Sequence, residues 1–209
     1  MYQTLEKHWK IAFDLAFQSL LEGSIPIGAV ITNEHGDIVS TGRNLIFEKN
    51  EIAHQITNHP LAHAEINAIL KIDNLYNQKE HVYHLYTTME PCPLCFGATL
   101  MSDIDHLYFA AKDPWAGSTN LKNDYVRFKR LHITGPYPVL SDIQLCIQGF
   151  YELSKRGENH VVKSFEKQSK KAIDAARLLV LDDVFMEMIS TKESSEKLFD
   201  YVYYNLSIL

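Results

Sequence analysis

Two short stretches, His63-Ala64-Glu65 and Pro91-Cys92-Pro93-Leu94-Cys95, make chemical sense only if the fold brings them together. His63, Cys92 and Cys95 offer one nitrogen and two sulfurs, which leaves a fourth tetrahedral position for water. An incomplete ligand set of this kind is the pattern of a catalytic zinc site, whereas structural sites are closed. Glu65 stands beside the ligands as a carboxylate available for proton transfer. Any fold for this chain must therefore set one helix start, near residue 63, against another, near residue 92.

Each piece alone has a plainer use. His63 could be a surface or cap residue, and Glu65 in a first helical turn is favoured by the helix dipole. Cys92-x-x-Cys95 alone fits a redox pair or half of a zinc knuckle. The redox use needs a thioredoxin-like context and the knuckle needs a second ligand pair. The chain has no other C-x-x-C or C-x-x-H. The joint reading uses all four residues at once.

The remaining sequence supplies an α/β frame. Leu5, Trp9, Ala12, Phe13, Ala16 and Leu20 recur at helical spacing, with Gly23 as the stop. Residues 25–31 read as a buried strand, 33–37 as a turn and 38–44 as the returning strand of a hairpin. Gly28 and Gly42 mark close backbone approaches. Residues 45–60 form a long loop of the kind that borders sites. A helix from residue 61 onward holds His63 and Glu65 in its first turn. A strand follows over 82–88, then a helix with Pro91 at its first position and Cys92 and Cys95 one turn apart. Another strand spans 106–111, a loop 112–118, a short helical piece 121–131 and a strand 132–134. A helix capped by Ser141 runs to about Lys155. Alternating strands and helices predict an α/β three-layer sandwich with helices on both faces of one sheet.

Residues 1–155 read as one zinc-dependent domain and 156–209 as a helical C-terminal extension with two helices, 163–181 and 184–206. At 209 residues and 46% hydrophobic composition, one well-cored domain with an appendage is the expectation. Cys146 reads as a buried structural thiol, and an odd cysteine count argues against a disulfide framework. No signal-like start and no membrane-length apolar run are present, so a cytoplasmic protein is expected. A formal net charge of −6 argues against a large nucleic-acid footprint.

Residues 25–111 resemble the cytidine and deoxycytidylate deaminase superfamily, in the branch of tRNA adenosine deaminases and bacterial guanine deaminases. The resemblance rests on Pro26-Ile27-Gly28-Ala29-Val30, Gly42-Arg43-Asn44, Ala62-His63-Ala64-Glu65 and residues 85–95 with Gly97-Ala98. It covers most of the first 155 residues and fades beyond. It implies a five-stranded mixed sheet, zinc held between two helices, and a homodimer. It also implies that Asn44 hydrogen-bonds the substrate ring and that backbone amides near Ala64 and Cys92 hold the reacting oxygen. The loop carrying Asp113 and Trp115 shapes substrate choice in such proteins. Taken as residues alone, Asn44 is a turn residue and Trp115 a loop anchor.

The expected reaction is hydrolytic removal of the exocyclic amine of a nucleobase or nucleoside, with a purine such as guanine favoured. The alternative is conversion of anticodon adenosine to inosine in tRNA. Phe96, the acidic residues 101–105 and the missing basic match at residues 150–154 depart from the tRNA-acting pattern. Lys163 to Arg177 could still reach phosphates, although a solvated helix face is the plainer reading. A reading of another class is a binding module that keeps the scaffold without catalysis.

Overall fold

The computed structural model describes residues 1–72, 82–123 and 130–209. Helix α1 (Lys7–Leu21) leads into the hairpin β1 (Gly28–Thr32) and β2 (Ile38–Arg43), then the short α2 (Ala64–Ile69). Strand β3 (His84–Met89), α3 (Pro93–Met101) and β4 (His106–Ala111) form a crossover unit, followed by β5 (His132–Thr134) and α4 (Pro138–Arg156). The five strands lie in the order β2-β1-β3-β4-β5. Pairing is antiparallel from β2 to β3 and parallel from β3 to β5. The sheet is therefore mixed, as expected.

Two apolar clusters define the layers. One gathers α1 and α4 with Val30, Met89, Ala110 and Ala111. The other sets Ala64 and Ala68 of α2 and Phe96 and Leu100 of α3 on Ile31, Leu85 and Leu107. The α2/α3 layer comes close to the sheet because β2 carries a glycine there. A Cβ at Gly42 would lie 2.1 Å from the Ala64 carbonyl oxygen and 2.4 Å from the Ala68 amide nitrogen. Phe96 lies in this second cluster, 1% exposed, so its bulk fills core.

Helix boundaries differ from the sequence reading in ways that matter chemically. Helix α2 begins at Ala64, with His63 as its extended N-cap, and α3 begins at Pro93, with Cys92 as its extended N-cap. Pro93, not Pro91, takes the first helical position. A proline disfavours helical backbone in the residue before it, which places Cys92 outside the helix. Pro138 acts the same way on Tyr137, so α4 starts there and is not capped by Ser141. The expected helical piece over 121–131 begins as a 3-10 turn at Thr119–Asn123, and residues 124–129 lie outside the described residues.

The extension holds four helices where two were expected: α5 (His160–Gln168), α6 (Lys170–Val180), α7 (Asp183–Ser190) and α8 (Ser195–Ser207). Asn159, Ser169, Asp182 and Ser194 each accept from backbone amides at the start of the helix that follows. These helices join the α1/α4 cluster through Val162, Phe165, Ile173, Leu179, Phe185 and Phe199. The Phe199 ring meets Phe13 edge-on at 5.2 Å and Tyr2 at 5.7 Å. Cys146 is fully buried in α4, and burial pushes its thiol up. No helix among the described residues is long and apolar enough to cross a membrane.

Candidate active site

An N-cap side chain ordinarily accepts from the first free amides of its helix. Neither His63 nor Cys92 does so. Both side chains turn toward each other instead. His63 Nδ1 lies 3.5 Å from Cys92 Sγ and 3.3 Å from Cys95 Sγ. All three ligand atoms fall within 4.8 Å of one another, and among the described residues this is the group of three that can hold a metal ion. Zinc–nitrogen and zinc–sulfur bonds of usual length at a tetrahedral angle would separate such atoms by about 3.6 Å. The donor set thus fits zinc in both chemistry and spacing.

Electrostatics within the group are uneven. Hydrogen bonding from Cys95, with further help from His63, lowers the Cys92 thiol to about 4. Cys95 is held well above its usual value by its bond to that thiolate and by burial. The bond to Cys92 raises His63 against the opposing effect of burial, and the nearby Glu65 charge adds to the rise. Two helix N-termini face this sulfur-rich centre, which favours thiolate charge.

Glu65 is buried, and burial first, then the Cys92 charge, raises its carboxyl. Thr87 of β3 donates to Glu65 Oε1 at 3.1 Å, and the carboxyl is hydrogen-bonded to Cys95 as well. Thr87 was not singled out from sequence. The signal was strand alternation, which puts it on the same face of β3 as the buried Leu85.

Asn44 follows β2 and is 2% exposed. Its Oδ1 accepts from the Ile46 amide at 3.2 Å, the turn role that the residue alone suggested. The next amide, Leu45, donates to the Ala62 carbonyl at 2.8 Å, which brings the end of β2 beside His63. Ala64 is fully buried at the first position of α2. Asn67 ties the preceding loop to α2 by accepting from the Ile56 amide at 2.8 Å and donating to the Arg43 carbonyl at 3.3 Å. His59 is an exposed loop residue whose Nδ1 accepts from Leu61.

Trp115 lies 56% exposed in the loop after β4. Its ring meets His160 at the start of α5 at 4.5 Å, a contact sequence reasoning missed because the two residues belong to separate segments. The same loop runs beside the metal-binding group. The Ser118 amide donates to the Pro91 carbonyl at 3.0 Å, and Cys92 contributes, after burial and Glu90, to raising the Asp113 carboxyl.

The model of the cytidine and deoxycytidylate deaminase zinc-binding region matches residues 2–111, the segment that contains His63, Glu65, Cys92 and Cys95. The chain belongs to this family. A tRNA-specific adenosine deaminase of Haemophilus influenzae is 34% identical over 134 residues, 62% of this chain and 73% of the relative. The enzyme of the same name from Bacillus subtilis is 30% identical over 131 residues, 61% of this chain and 74% of the relative. The structure of a guanine deaminase from Nitrosomonas europaea superposes with a TM-score of 0.54 at 21% identity, covering 69% of this chain and 82% of that one, a likeness of fold. As a family member the chain is a hydrolytic deaminase acting on carbon–nitrogen bonds, with the family's zinc-binding region. The reading as a binding-only scaffold falls away.

Proposed function

We propose that this deaminase acts on a free nucleobase or nucleoside, with a purine such as guanine favoured, and releases its exocyclic amine as ammonia. His63, Cys92 and Cys95 hold the zinc. When bound, the ion supplies Lewis acidity that lowers the pKa of water from about 16 to about 7. Glu65 takes one proton from the attacking water and passes it to the ring nitrogen; it then takes the second proton, from the hydroxyl of the tetrahedral adduct, and gives it to the amine, which leaves as ammonia. Its raised carboxyl suits traffic in both directions near neutral pH. Thr87 fixes which carboxyl oxygen faces away from the substrate. Asn44 orients the ring, the amides at Ala64 and Cys92 hold the reacting oxygen, and Trp115 lines the pocket. Residues 1–155 carry the chemistry in a cytoplasmic homodimer, and residues 156–209 brace it.

The observation that favours a small substrate over tRNA is the charge pairing in the extension. Arg177 is held by Glu158 at 2.7 Å, Glu166 at 2.8 Å and Asp174 at 3.0 Å, and Lys170 also pairs with Asp174. Two of the five cations between Lys163 and Arg177 are neutralised in this way, which weakens the segment as a partner for a phosphate backbone, bound through free Lys and Arg charge. A second reading, anticodon adenosine in tRNA, is favoured by the relatives named tRNA-specific adenosine deaminases. An ammonia-release screen over guanine, guanosine, cytosine, cytidine and an adenosine-bearing anticodon stem-loop decides between them. Release from a free base or nucleoside is expected; inosine in the stem-loop with no release from the small substrates would reverse the order.

A further inference from the structure

Glu90 sits between β3 and Pro91, two residues before Cys92, and its side chain is fully buried. Among the described residues, the hydrogen-bond partners of that carboxylate come from one place, the segment that follows β4. Oε1 accepts from Lys112 Nζ at 2.9 Å, from the Thr119 amide at 3.1 Å and from the Thr119 hydroxyl. Oε2 accepts from the Asp113 amide at 3.1 Å. The carboxylate thus grips both ends of the loop 113–118. Within it, Asp113 Oδ1 accepts from the amides of Trp115 at 2.8 Å and Ala116 at 3.0 Å, which presents the indole at the tip.

The grip leaves no slack. A Cβ at Gly117 would fall 2.0 Å from Glu90 Oε2 and 2.5 Å from the Asp113 carbonyl oxygen, so only glycine lets the loop lie on the carboxylate. Burying a carboxylate costs stability unless donors satisfy it, and here the donors stand at the two ends of a loop, Lys112 and Asp113 at its start and Thr119, the first residue of the 3-10 turn, after it. Ordering this loop is the structural return for placing a charge in the interior next to the metal-binding helix start.

We propose that Glu90 is a positioning residue: it seats the loop 113–118, with Trp115, against the metal-binding start of α3, so that this wall of the substrate site is formed before substrate arrives. The substrate part of this statement rests on the reading of that loop as pocket wall; the seating part does not. A preformed wall places the ring without an ordering cost at binding, so losing it raises KM more than it lowers kcat.

The test uses the full-length zinc-loaded chain labelled with 5-fluorotryptophan. The sequence has two tryptophans, Trp9 and Trp115, so two fluorine signals are expected, and Trp115→Phe assigns them. In Glu90→Gln and in Gly117→Ala the Trp115 signal should shift and narrow, while the Trp9 signal and zinc content stay as in the wild type. Thr119→Val, which removes one donor and leaves the carboxylate paired, should shift it less, and Glu90→Asp should recover part of the change. With guanine as probe, or the anticodon stem-loop if only that is turned over, KM should rise about tenfold with kcat within about threefold. An unchanged Trp115 signal in zinc-loaded Glu90→Gln overturns the proposal. So does loss of zinc or of the Trp9 signal in all three variants Glu90→Gln, Gly117→Ala and Thr119→Val, which makes Glu90 a general structural residue. A displaced Trp115 signal in a chain whose wild type releases no ammonia from either probe upholds the seating and overturns the substrate reading instead.

Discussion

The Thr87 hydroxyl donates to Glu65 and so connects the sheet to the proton carrier. A hydroxyl donated to a carboxylate favours its charged form, so it opposes the burial that raises Glu65. Thr87→Val removes that donor at nearly constant volume, and the Glu65 carboxyl should then move further up. Activity that needs the ionised carboxylate is lost as pH falls through its pKa, so the acid limb of kcat/KM should shift to higher pH in the variant. A drop in rate of about fivefold at neutral pH is expected from the loss of one such hydrogen bond; an unmoved acid limb would show that Thr87 does not bear on Glu65. At this scale the sequence was most informative about His63, Glu65, Cys92 and Cys95, because ligand chemistry dictates residue types and spacing. It was silent on Thr87 and Glu90, whose partners lie in other elements and follow no spacing rule.

The strands add a pH response of their own. His84 on β3 stacks on His106 of β4 at 4.4 Å, and His106 stacks on His132 of β5 at 4.9 Å, because parallel register sets these three residues side by side. Burial and then the neighbouring His106 lower His84 below its usual 6.5, against Asp105 and Glu34. Burial likewise lowers His8, which stacks on Tyr86 at 3.8 Å, with Glu6 opposing and His84 adding to the shift. A histidine whose folded pKa is depressed takes up its proton more readily when unfolded. Stability from His8 and His84 is therefore complete above pH 6.5 and lost as pH falls below it. Thermal melts from pH 8 to pH 5 should show Tm falling below about 6.5, and His84→Gln should flatten that fall; an equal fall in the variant would place the effect elsewhere. Strands and α1 were legible because period-2 and period-3.6 patterns persist along them. The split of the extension into four helices was not, since apolar positions such as Phe165 and Ile173 continue across Ser169 as if one helix ran through. The signals that could have shown it were the four caps, Asn159, Ser169, Asp182 and Ser194, standing in plain view.

Over the whole molecule, the chain's two ends meet on the face of the sheet opposite the metal-binding helices. Phe199 of α8 is fully buried against Phe13 and Phe17 of α1, and the Tyr2 amide donates to Asp200 at 2.8 Å. Phe199→Ala should cost about 3–5 kcal/mol through lost burial and the cavity left behind. For a chain of this size that lowers Tm by roughly 10 °C, read in a thermal melt; a shift of only a degree or two would mean that the extension contributes little to the core. The direction of packing, toward the core or toward another subunit, could not be read from an amphipathic pattern, because the pattern says which face is buried and not what buries it. What the fold as a whole achieves is the meeting of residue 63 with residues 92 and 95, with a buried carboxylate beside them. The most direct measurement of that claim is Glu65→Gln, assayed for bound zinc and for ammonia release on the best substrate of the screen. Wild-type zinc content with turnover reduced by at least about a hundredfold is the expected result; zinc retained with turnover unchanged would contradict it.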